Sequence, residues 1–385
     1  MRVVIASRIY LPEPSAASFF LGSVADELSR RGHEVVVLTA KPPRNLSIPS
    51  RTETIRTFPA FRDRNGYIRG YIPYLSFDIP LFFRLLFMRR AAAVLVEPPP
   101  TTGAIVRLVC KLRRIPYTYD AADLWSVAAV HATNSHAVLK VLKALERWAI
   151  NGAASIVTIS DGVRERLRSW GIRKPVQVTG YGADTTQFHY RPTETKPEFI
   201  YAGTYTHLHG AILLVDAFAE FRASAPLHKA FRLRFIGLGT EQPAMLERAR
   251  ALGLEGKITF EPPLPPKALS LEFSAATASL ATLLPGGGYE FAFATKTYSS
   301  LASGCPVIFA GPGPTSEFIQ DTNRQVAAGS ATPYAASSIA NAMSKLAANP
   351  LTTIQRTALS QWAHTNVSMR KTASDVADVI ERNAD

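Results

Sequence analysis

Two apolar runs, Val3-Val-Ile-Ala-Ser7 and Glu34-Val-Val-Val-Leu-Thr39, decide the fold class of this 385-residue chain. A proline-rich loop, Leu11-Pro-Glu-Pro-Ser-Ala16, follows the first run, and apolar residues at helical spacing fill positions 19–31. We predict that Ser18 caps this helix. Strand, helix and strand in this order predict a β-α-β unit with parallel strands.

The same alternation continues in two series, and the segment 185–197, which contains proline and threonine, is predicted to be the linker between them. Such alternation predicts parallel sheets with helices on both faces. The predicted fold is therefore α/β, with two doubly wound domains facing across a cleft. Ligands in such domains bind at the carboxyl ends of the strands.

The net charge of +13 is concentrated in the first half of the chain. Residues 41–114 alone hold 14 basic and 4 acidic residues, interleaved with aromatic residues such as Tyr74, Phe83 and Phe87. This combination suits an anionic membrane surface, and a solvated basic face over ordinary core residues is the open alternative. No nucleic-acid motif accompanies the charge, so we expect no nucleic-acid partner.

Cysteine content and hydropathy exclude several classes of protein. Cys110 and Cys305 lie far apart, so we expect neither a disulfide framework nor a cysteine zinc site. The first eight residues form a short apolar run interrupted by charge, which does not predict a signal peptide. The most apolar window, 79–88, contains Arg84 and is too short to span a bilayer. We expect a cytoplasmic protein without a metal site.

A glycine-rich loop, Gly286-Gly-Gly-Tyr-Glu290, precedes a predicted helix that starts near Thr295. A helix N-terminus presents N–H groups that suit phosphate, and Lys296 adds a positive charge in the same turn. Glu290 can accept hydrogen bonds from the hydroxyls of a sugar. A flexible loop with a surface lysine is the alternative, and the strand–loop–helix–strand context favours a binding site.

Glycines and acids follow other predicted strands. Gly203 and Gly237 allow close approach of a ligand, whereas Gly239 is predicted to be an ordinary turn glycine. Asp120 and Asp123 are predicted just past a strand end, where they can bind hydroxyls or take a proton, although aspartates there often only cap turns. A lone histidine such as His131 is more often structural than functional.

Several segments of the sequence resemble the family 4 glycosyltransferases of the GT-B fold, and especially the bacterial group that includes N-acetyl-L-fucosamine transferases of surface polysaccharide synthesis. The resemblance covers nearly the whole chain and does not identify the sugar. Its motifs include Tyr10-Leu-Pro-Glu-Pro-Ser-Ala-Ala17, Asp123-Leu-Trp125, Phe199-Ile-Tyr-Ala-Gly203, and Thr295-Lys296 with Leu301-Ala-Ser-Gly-Cys-Pro-Val307.

The resemblance implies transfer of a sugar from a nucleotide sugar, UDP- or GDP-linked, with retained configuration and no metal. The leaving phosphate itself accepts the proton of the acceptor. The acceptor would bind largely in an N-terminal domain over 1–190, joined by a C-terminal helix at about 365–385. The donor would bind in a C-terminal domain over 191–364.

The expected catalytic residues are Asp120, Asp123 and Lys296. Donor-binding roles fall to Gly203, Thr204, Gly237, Tyr289, Glu290, Thr295, Lys296 and Ser299. Acceptor-side roles fall to Pro14, Ser15, Ala16 and His131. The expected acceptor is lipid-linked or membrane-bound, with the protein peripheral at the inner face of the cytoplasmic membrane.

Three departures from the family pattern weaken the expected donor site. Ala16-Ala17 stands where many relatives have two glycines, and Ser299 stands where a carboxylate usually holds the ribose. Thr204 or Tyr205, and His209, replace an arginine and a lysine that usually clamp the diphosphate. Losing charge-assisted bonds weakens binding. A non-catalytic partner subunit, an epimerase and a soluble transferase acting on a small metabolite therefore stay open.

Overall fold

The structure is a computed structural model that describes the chain apart from residues 14, 45, 49, 64, 65, 67, 69, 123, 130–134 and 385. The chain divides into two compact units. The N-terminal unit comprises residues 1–181 and 369–385, and the C-terminal unit comprises residues 182–368. The predicted α/β class with two parallel-sheet domains is confirmed.

The N-terminal unit holds a seven-stranded parallel sheet in the order β3-β2-β1-β4-β5-β6-β7. The strands are β1 (Arg2–Ala6), β2 (Glu34–Ala40), β3 (Thr54–Phe58), β4 (Ala93–Val96), β5 (Tyr117–Ala121), β6 (Ser155–Thr158) and β7 (Val176–Val178). The helices are α1 (Ala16–Arg30), α2 (Tyr71–Phe87), α3 (Pro100–Arg113), α4 (Trp125–Ala128), α5 (His136–Asn151) and α6 (Asp161–Ser169). The strand order reverses between β1 and β4, which is where ligands bind in doubly wound sheets.

The C-terminal unit holds a six-stranded parallel sheet in the order β10-β9-β8-β11-β12-β13. The strands are β8 (Lys196–Ala202), β9 (Arg232–Ile236), β10 (Ile258–Glu261), β11 (Ala276–Thr282), β12 (Val307–Ala310) and β13 (Gly329–Thr332). The helices are α7 (Leu213–Ser224), α8 (Gln242–Ala251), α9 (Pro266–Ala275), α10 (Lys296–Ala302), α11 (Pro314–Thr322), α12 (Ala336–Ala348) and α13 (Thr353–Asn366). Here the order reverses between β8 and β11.

The final helix, α14 (Met369–Ala384), packs within the N-terminal unit against α1, β4, β5 and β6. Its apolar face, which includes Val376 and Ile380, is buried. Arg31 at the end of α1 donates to Asp378 at 2.6 Å and to Glu381 at 2.7 Å. Apolar burial thus stabilises the docked helix, and ion pairs fix its position along α1.

Continuous apolar runs form the strands because both faces of each sheet are covered by helices. In β1, Val3, Val4, Ile5 and Ala6 are all fully buried. In the C-terminal unit, Phe199 and Phe235 of neighbouring strands belong to one core that also includes residues of α7 and α12. The loops after the strands are left to carry polar and charged groups.

Five elements are absent from the sequence-based prediction: β3, α2, α4, α9 and β13. Helix α1 also begins earlier than predicted, since Ser15 and not Ser18 is its N-cap, and the Ser15 hydroxyl accepts from the Ser18 N–H at 3.1 Å. Among the described residues, no helix is long and apolar enough to cross a membrane.

Candidate functional site

The loops that follow β8 and β11 meet at the switch point of the C-terminal sheet. Gly203 and Thr204 directly follow β8 and are exposed. The loop after β11 is anchored at both ends, because Leu284 N–H donates to the Leu208 carbonyl at 3.0 Å and Ala294 N–H donates to the Thr315 hydroxyl at 2.9 Å. The carboxyl edge of this sheet therefore brings together most of the predicted donor-binding residues.

Lys296 is the first residue of α10 and supplies a charged group at this edge. Its ammonium nitrogen is buried 3.6 Å from the centre of the Tyr201 ring, although the residue as a whole is only half-buried. No described residue accepts a hydrogen bond from this nitrogen. Burial lowers the pKa of Lys296 to about 7. A buried ammonium without an acceptor is unfavourable, so this geometry suits an anion supplied by a ligand.

The histidine in the place of the expected clamp lysine does not add a second positive charge. Burial and the charge of Lys296 lower the pKa of His209 to about 4. Its Nδ1 accepts from the Thr206 N–H at 3.2 Å, so the neutral ring stabilises the short 3-10 turn His207–His209. Of these two basic side chains, Lys296 is the one whose charge can be used against a phosphate.

The glycines of this edge are required by close packing of the backbone. A Cβ on Gly237 would lie 2.0 Å from the Gly203 carbonyl oxygen, and one on Gly239 would lie 1.9 Å from the Tyr205 carbonyl oxygen. Gly239 is therefore more than an ordinary turn residue. At Gly203, where φ is 121°, a Cβ would stand 3.4 Å from the Lys296 ammonium. A side chain at position 203 would thus contact the Lys296 ammonium directly.

The other predicted donor residues lie in the loop before α10 or on its first turn. The Glu290 carboxylate accepts from the Gly288 N–H at 3.2 Å, and the Tyr289 ring lies 5.1 Å from that of Phe291. Thr295 occupies the N-cap position without a side-chain cap bond. Ser299 is half-buried and follows Lys296 by three positions, so both lie on one face of α10. Helix α10 has only seven residues, so its N-terminus is not by itself evidence for an anion site. The evidence for the site is the buried ammonium of Lys296.

Of the residues predicted for the acceptor side and catalysis in the N-terminal unit, the structure describes Ser15, Ala16 and Asp120. Asp120 does not follow β5 but lies inside it and is buried, because the strand extends to Ala121. Its carboxylate accepts from the Tyr181 hydroxyl at 3.3 Å. Ser15 caps α1, and Ala16 begins that helix with an exposed side chain. The predictions for Pro14, Asp123 and His131 lie outside the described residues.

Sequence reasoning missed a polar group at the switch point of the N-terminal sheet. The Ser7 hydroxyl, just after β1, donates to the Glu97 carboxylate, just after β4, at 2.9 Å. Arg8 comes next in the chain and is buried. The available signal was a polar residue and a charged one, Ser7 and Arg8, directly after the apolar run Val3–Ala6.

Two family models match the chain in succession. The one described as Glycosyl transferase 4-like domain covers residues 17–182, and the one described as Glycosyl transferases group 1 covers residues 183–364. A D-inositol 3-phosphate glycosyltransferase of Nocardia farcinica (strain IFM 10152) is 27% identical over 231 residues, which are 52% of this chain and 49% of that protein. The chain thus matches about half the length of this curated relative.

Solved structures share the fold over almost the whole chain. A sucrose-phosphate synthase from Thermosynechococcus elongatus has a TM-score of 0.77 at 15% identity, covering 99% of this chain and 98% of that one. WaaG, a glycosyltransferase involved in lipopolysaccharide biosynthesis, has a TM-score of 0.67 at 14% identity, covering 98% of this chain and 99% of that one. These structural matches and the two parallel-sheet units show the GT-B fold. The two consecutive family models, which together cover residues 17–364, show that the chain belongs to the GT4 family of glycosyltransferases.

Proposed function

We propose that this chain transfers a sugar from a UDP- or GDP-linked donor, with retained anomeric configuration and without a metal. The observation that carries the proposal is the Lys296 ammonium, buried without a hydrogen-bond acceptor among the described residues at the β8–β11 switch point. A diphosphate ester supplies the missing acceptor, and charge-assisted bonds to phosphate oxygens are among the stronger ones in proteins.

In the proposed reaction, Lys296 binds the β-phosphate and stabilises the negative charge that grows there as the bond to the sugar breaks. The same phosphate takes the proton from the acceptor hydroxyl, so no protein nucleophile is required. Glu290 accepts hydrogen bonds from the donor sugar, and Ser299 faces the ribose. Asp120 and Asp123 belong to the acceptor side, along with the segment Pro14–Ala16 and His131.

Calorimetric titration with UDP-glucose and GDP-mannose tests the donor site. We expect one donor to bind and Lys296→Ala to weaken it by about tenfold or more, since a hydrogen bond to a charged group contributes about 1.5–3 kcal/mol. Lys345→Ala is the matched control because that lysine is exposed on α12 of the same unit. If neither these nor other nucleotide sugars bind at millimolar concentration, a non-catalytic partner subunit becomes the better interpretation.

We propose further that the acceptor is lipid-linked and is modified at the inner face of the cytoplasmic membrane during surface polysaccharide synthesis. The supporting feature is the outer face of α2. Five large apolar side chains lie along it with exposed fractions of 52–78%: Ile72, Leu75, Ile79, Phe83 and Phe87. Their spacing of three and four residues places them on one stripe.

The charges around this stripe favour an anionic bilayer over a protein partner. Arg84, Arg89 and Arg90 are exposed at the C-terminal end of α2. Two of the four acids within 41–114, Glu53 and Asp78, are buried, so the surface of this stretch is more positive than its composition indicates. An apolar stripe with a cationic border matches the interface of a membrane with anionic headgroups.

Sedimentation with phosphatidylglycerol-containing vesicles tests the membrane assignment. We expect the double substitution Phe83→Ser and Phe87→Ser to reduce binding by about tenfold or more, because each ring buries apolar surface on insertion. Ile354→Ser is a control of similar exposure, at 82%, in the C-terminal unit. Absent binding would instead favour a soluble acceptor, as the name of the D-inositol 3-phosphate glycosyltransferase relative suggests.

A further inference from the structure

Arg8 lies at the carboxyl edge of the N-terminal sheet, two residues beyond β1 and beside the switch point with β4. Its guanidinium carbon lies 4.8 Å from the centre of the Tyr74 ring and 4.7 Å from that of Trp125. The two aromatic side chains come from α2 and α4, so three separate elements build this cluster. We call Arg8, Tyr74 and Trp125 the arginine clamp.

The hydrogen bonds of the clamp leave one edge of the guanidinium available. Nη1 donates to the Ile68 carbonyl at 2.7 Å. Nε is buried and has no acceptor among the described residues. The side chain is only 6% exposed, so the missing hydrogen bond is unfavourable. Nε and Nη2 form the edge of an arginine that binds two oxygens of a phosphate or carboxylate.

Arg356 shows how a purely structural buried arginine behaves in the same chain. It is 1% exposed, and its three nitrogens donate to backbone carbonyls of Leu351, Ser274, Gly304 and Ala276. Every nitrogen of Arg356 therefore has a protein acceptor. Arg8 is almost as buried, but its Nε has no acceptor among the described residues. This difference indicates that Arg356 stabilises the backbone, whereas Arg8 is available to bind a ligand.

Two described carboxylates, Asp78 and Glu97, lie near the clamp, and neither accepts a hydrogen bond from Arg8. Asp78 is fully buried and accepts from the Thr102 hydroxyl at 2.6 Å. Burial raises the pKa of Asp78, whereas the Thr101 and Thr102 hydroxyls and the positive charge of Arg8 lower it. Glu97, on the same sheet edge, accepts from Ser7. Arg8 Nε thus has no acceptor among the described residues, in a largely desolvated place where an anion interacts most strongly.

We propose that the arginine clamp binds a phosphate group of the second substrate through the Nε–Nη2 edge of Arg8. The identification of that ligand with the acceptor rests on the proposed transferase function, but phosphate binding itself is measurable without turnover. The phosphate can belong to a lipid headgroup or to a soluble phosphate ester, and the chemistry at Arg8 is the same for both.

Binding of two probes, inorganic phosphate and monomeric dihexanoyl phosphatidate, tests the clamp by calorimetry. All variants carry Lys296→Ala, so that the C-terminal unit does not contribute its lysine. We expect Arg8→Met to weaken binding by about tenfold or more. Arg8→Lys keeps the charge but loses the Nε–Nη2 edge that binds two oxygens. Its affinity for the probes should lie between that of the parent, which carries Lys296→Ala alone, and that of Arg8→Met.

Arg107→Met is the matched control, because Arg107 also lies over an indole, 4.3 Å from the centre of the Trp148 ring. Circular dichroism establishes whether each variant is folded. If Arg8→Met is not folded, the binding of Arg8→Lys is compared with that of the parent instead. Loss of both probes in the Arg8 variants supports a site for any phosphate ester, and loss of phosphatidate alone supports a lipid phosphate. Absent binding by the parent, or equal binding by folded Arg8 variants, would overturn the proposal.

Discussion

Lys296 and His209 show how the surroundings of a side chain change its chemistry. As a residue type, a lysine in a loop–helix segment is expected to be charged and solvated. Here the ammonium is buried over Tyr201, and burial lowers its pKa to about 7, while that of His209 falls to about 4. Near neutral pH, Lys296 and His209 together therefore carry either one positive charge or none, depending on whether Lys296 is protonated.

Donor binding should depend on pH through Lys296. A bound diphosphate favours the protonated lysine, so binding above pH 7 takes up a proton and the affinity falls, by up to about tenfold per pH unit. His209 stays neutral across this range and does not contribute. Calorimetry of a nucleotide sugar in buffers of different ionisation enthalpy measures the proton uptake.

In Lys296→Arg, the guanidinium stays charged, so the affinity should change little between about pH 7 and 9. The same pH dependence in this variant and in the parent would mean that another group titrates, and the role given to Lys296 would be wrong.

Helix α2 shows how an element can escape a sequence-based prediction. It contains Pro80 and a second proline, Pro73, in its first turn, and its apolar residues lie on both the buried and the exposed faces. Neither feature gives the polar–apolar periodicity that identifies an amphipathic helix. The helices α1 and α5 of the same unit each have a serine N-cap, Ser15 and Ser135, and a regular pattern of apolar residues.

Helix α14 should contribute directly to the stability of the N-terminal unit. Ile380 is fully buried, so Ile380→Ala is expected to lower the free energy of unfolding by about 2–5 kcal/mol. Ile354→Ala removes the same atoms from a side chain that is 82% exposed and should have little effect. Urea unfolding measures both variants, and equal midpoints would contradict the packing of α14 described above.

At the scale of the whole molecule, the two halves of the sequence differ in charge. Residues 1–190 hold 26 basic and 14 acidic residues, whereas 191–385 hold 17 and 16. Both halves fold into parallel sheets, so the excess charge is not needed for the fold. An asymmetric charge of this kind affects which surfaces the protein approaches.

Vesicle binding should therefore depend on salt and on the N-terminal half. Raising the salt from about 0.1 M to 1 M shortens the screening length from about 10 Å to 3 Å and should weaken binding steeply. The pair Arg89→Ser and Arg90→Ser should weaken it at low salt, whereas Arg248→Ser and Arg250→Ser, with the same loss of charge from exposed positions of α8, should not. If the two double substitutions reduced vesicle binding equally, binding would depend on net charge alone and the prediction for the N-terminal half would be wrong.

The sequence by itself determined the α/β class, the two parallel sheets and the candidate role of Lys296. Strand runs such as Val3–Ala6 are continuous and apolar because both faces of the sheet are covered, and this property can be read locally. Glycine and lysine after strand ends point to the carboxyl edge for the same reason, since the alternation of strands and helices fixes where those ends lie.

Only the tertiary structure decided which side chains meet and how water reaches them. Lys296 is buried by Tyr201, which precedes it by almost a hundred positions. Arg8 packs against both Tyr74 and Trp125, which come from different helices. Local sequence pattern reports neither contact, because burial and unpaired hydrogen-bond donors arise when distant segments pack together. The properties that make both basic groups suited to anions, desolvation and a missing acceptor, thus exist only in the folded chain.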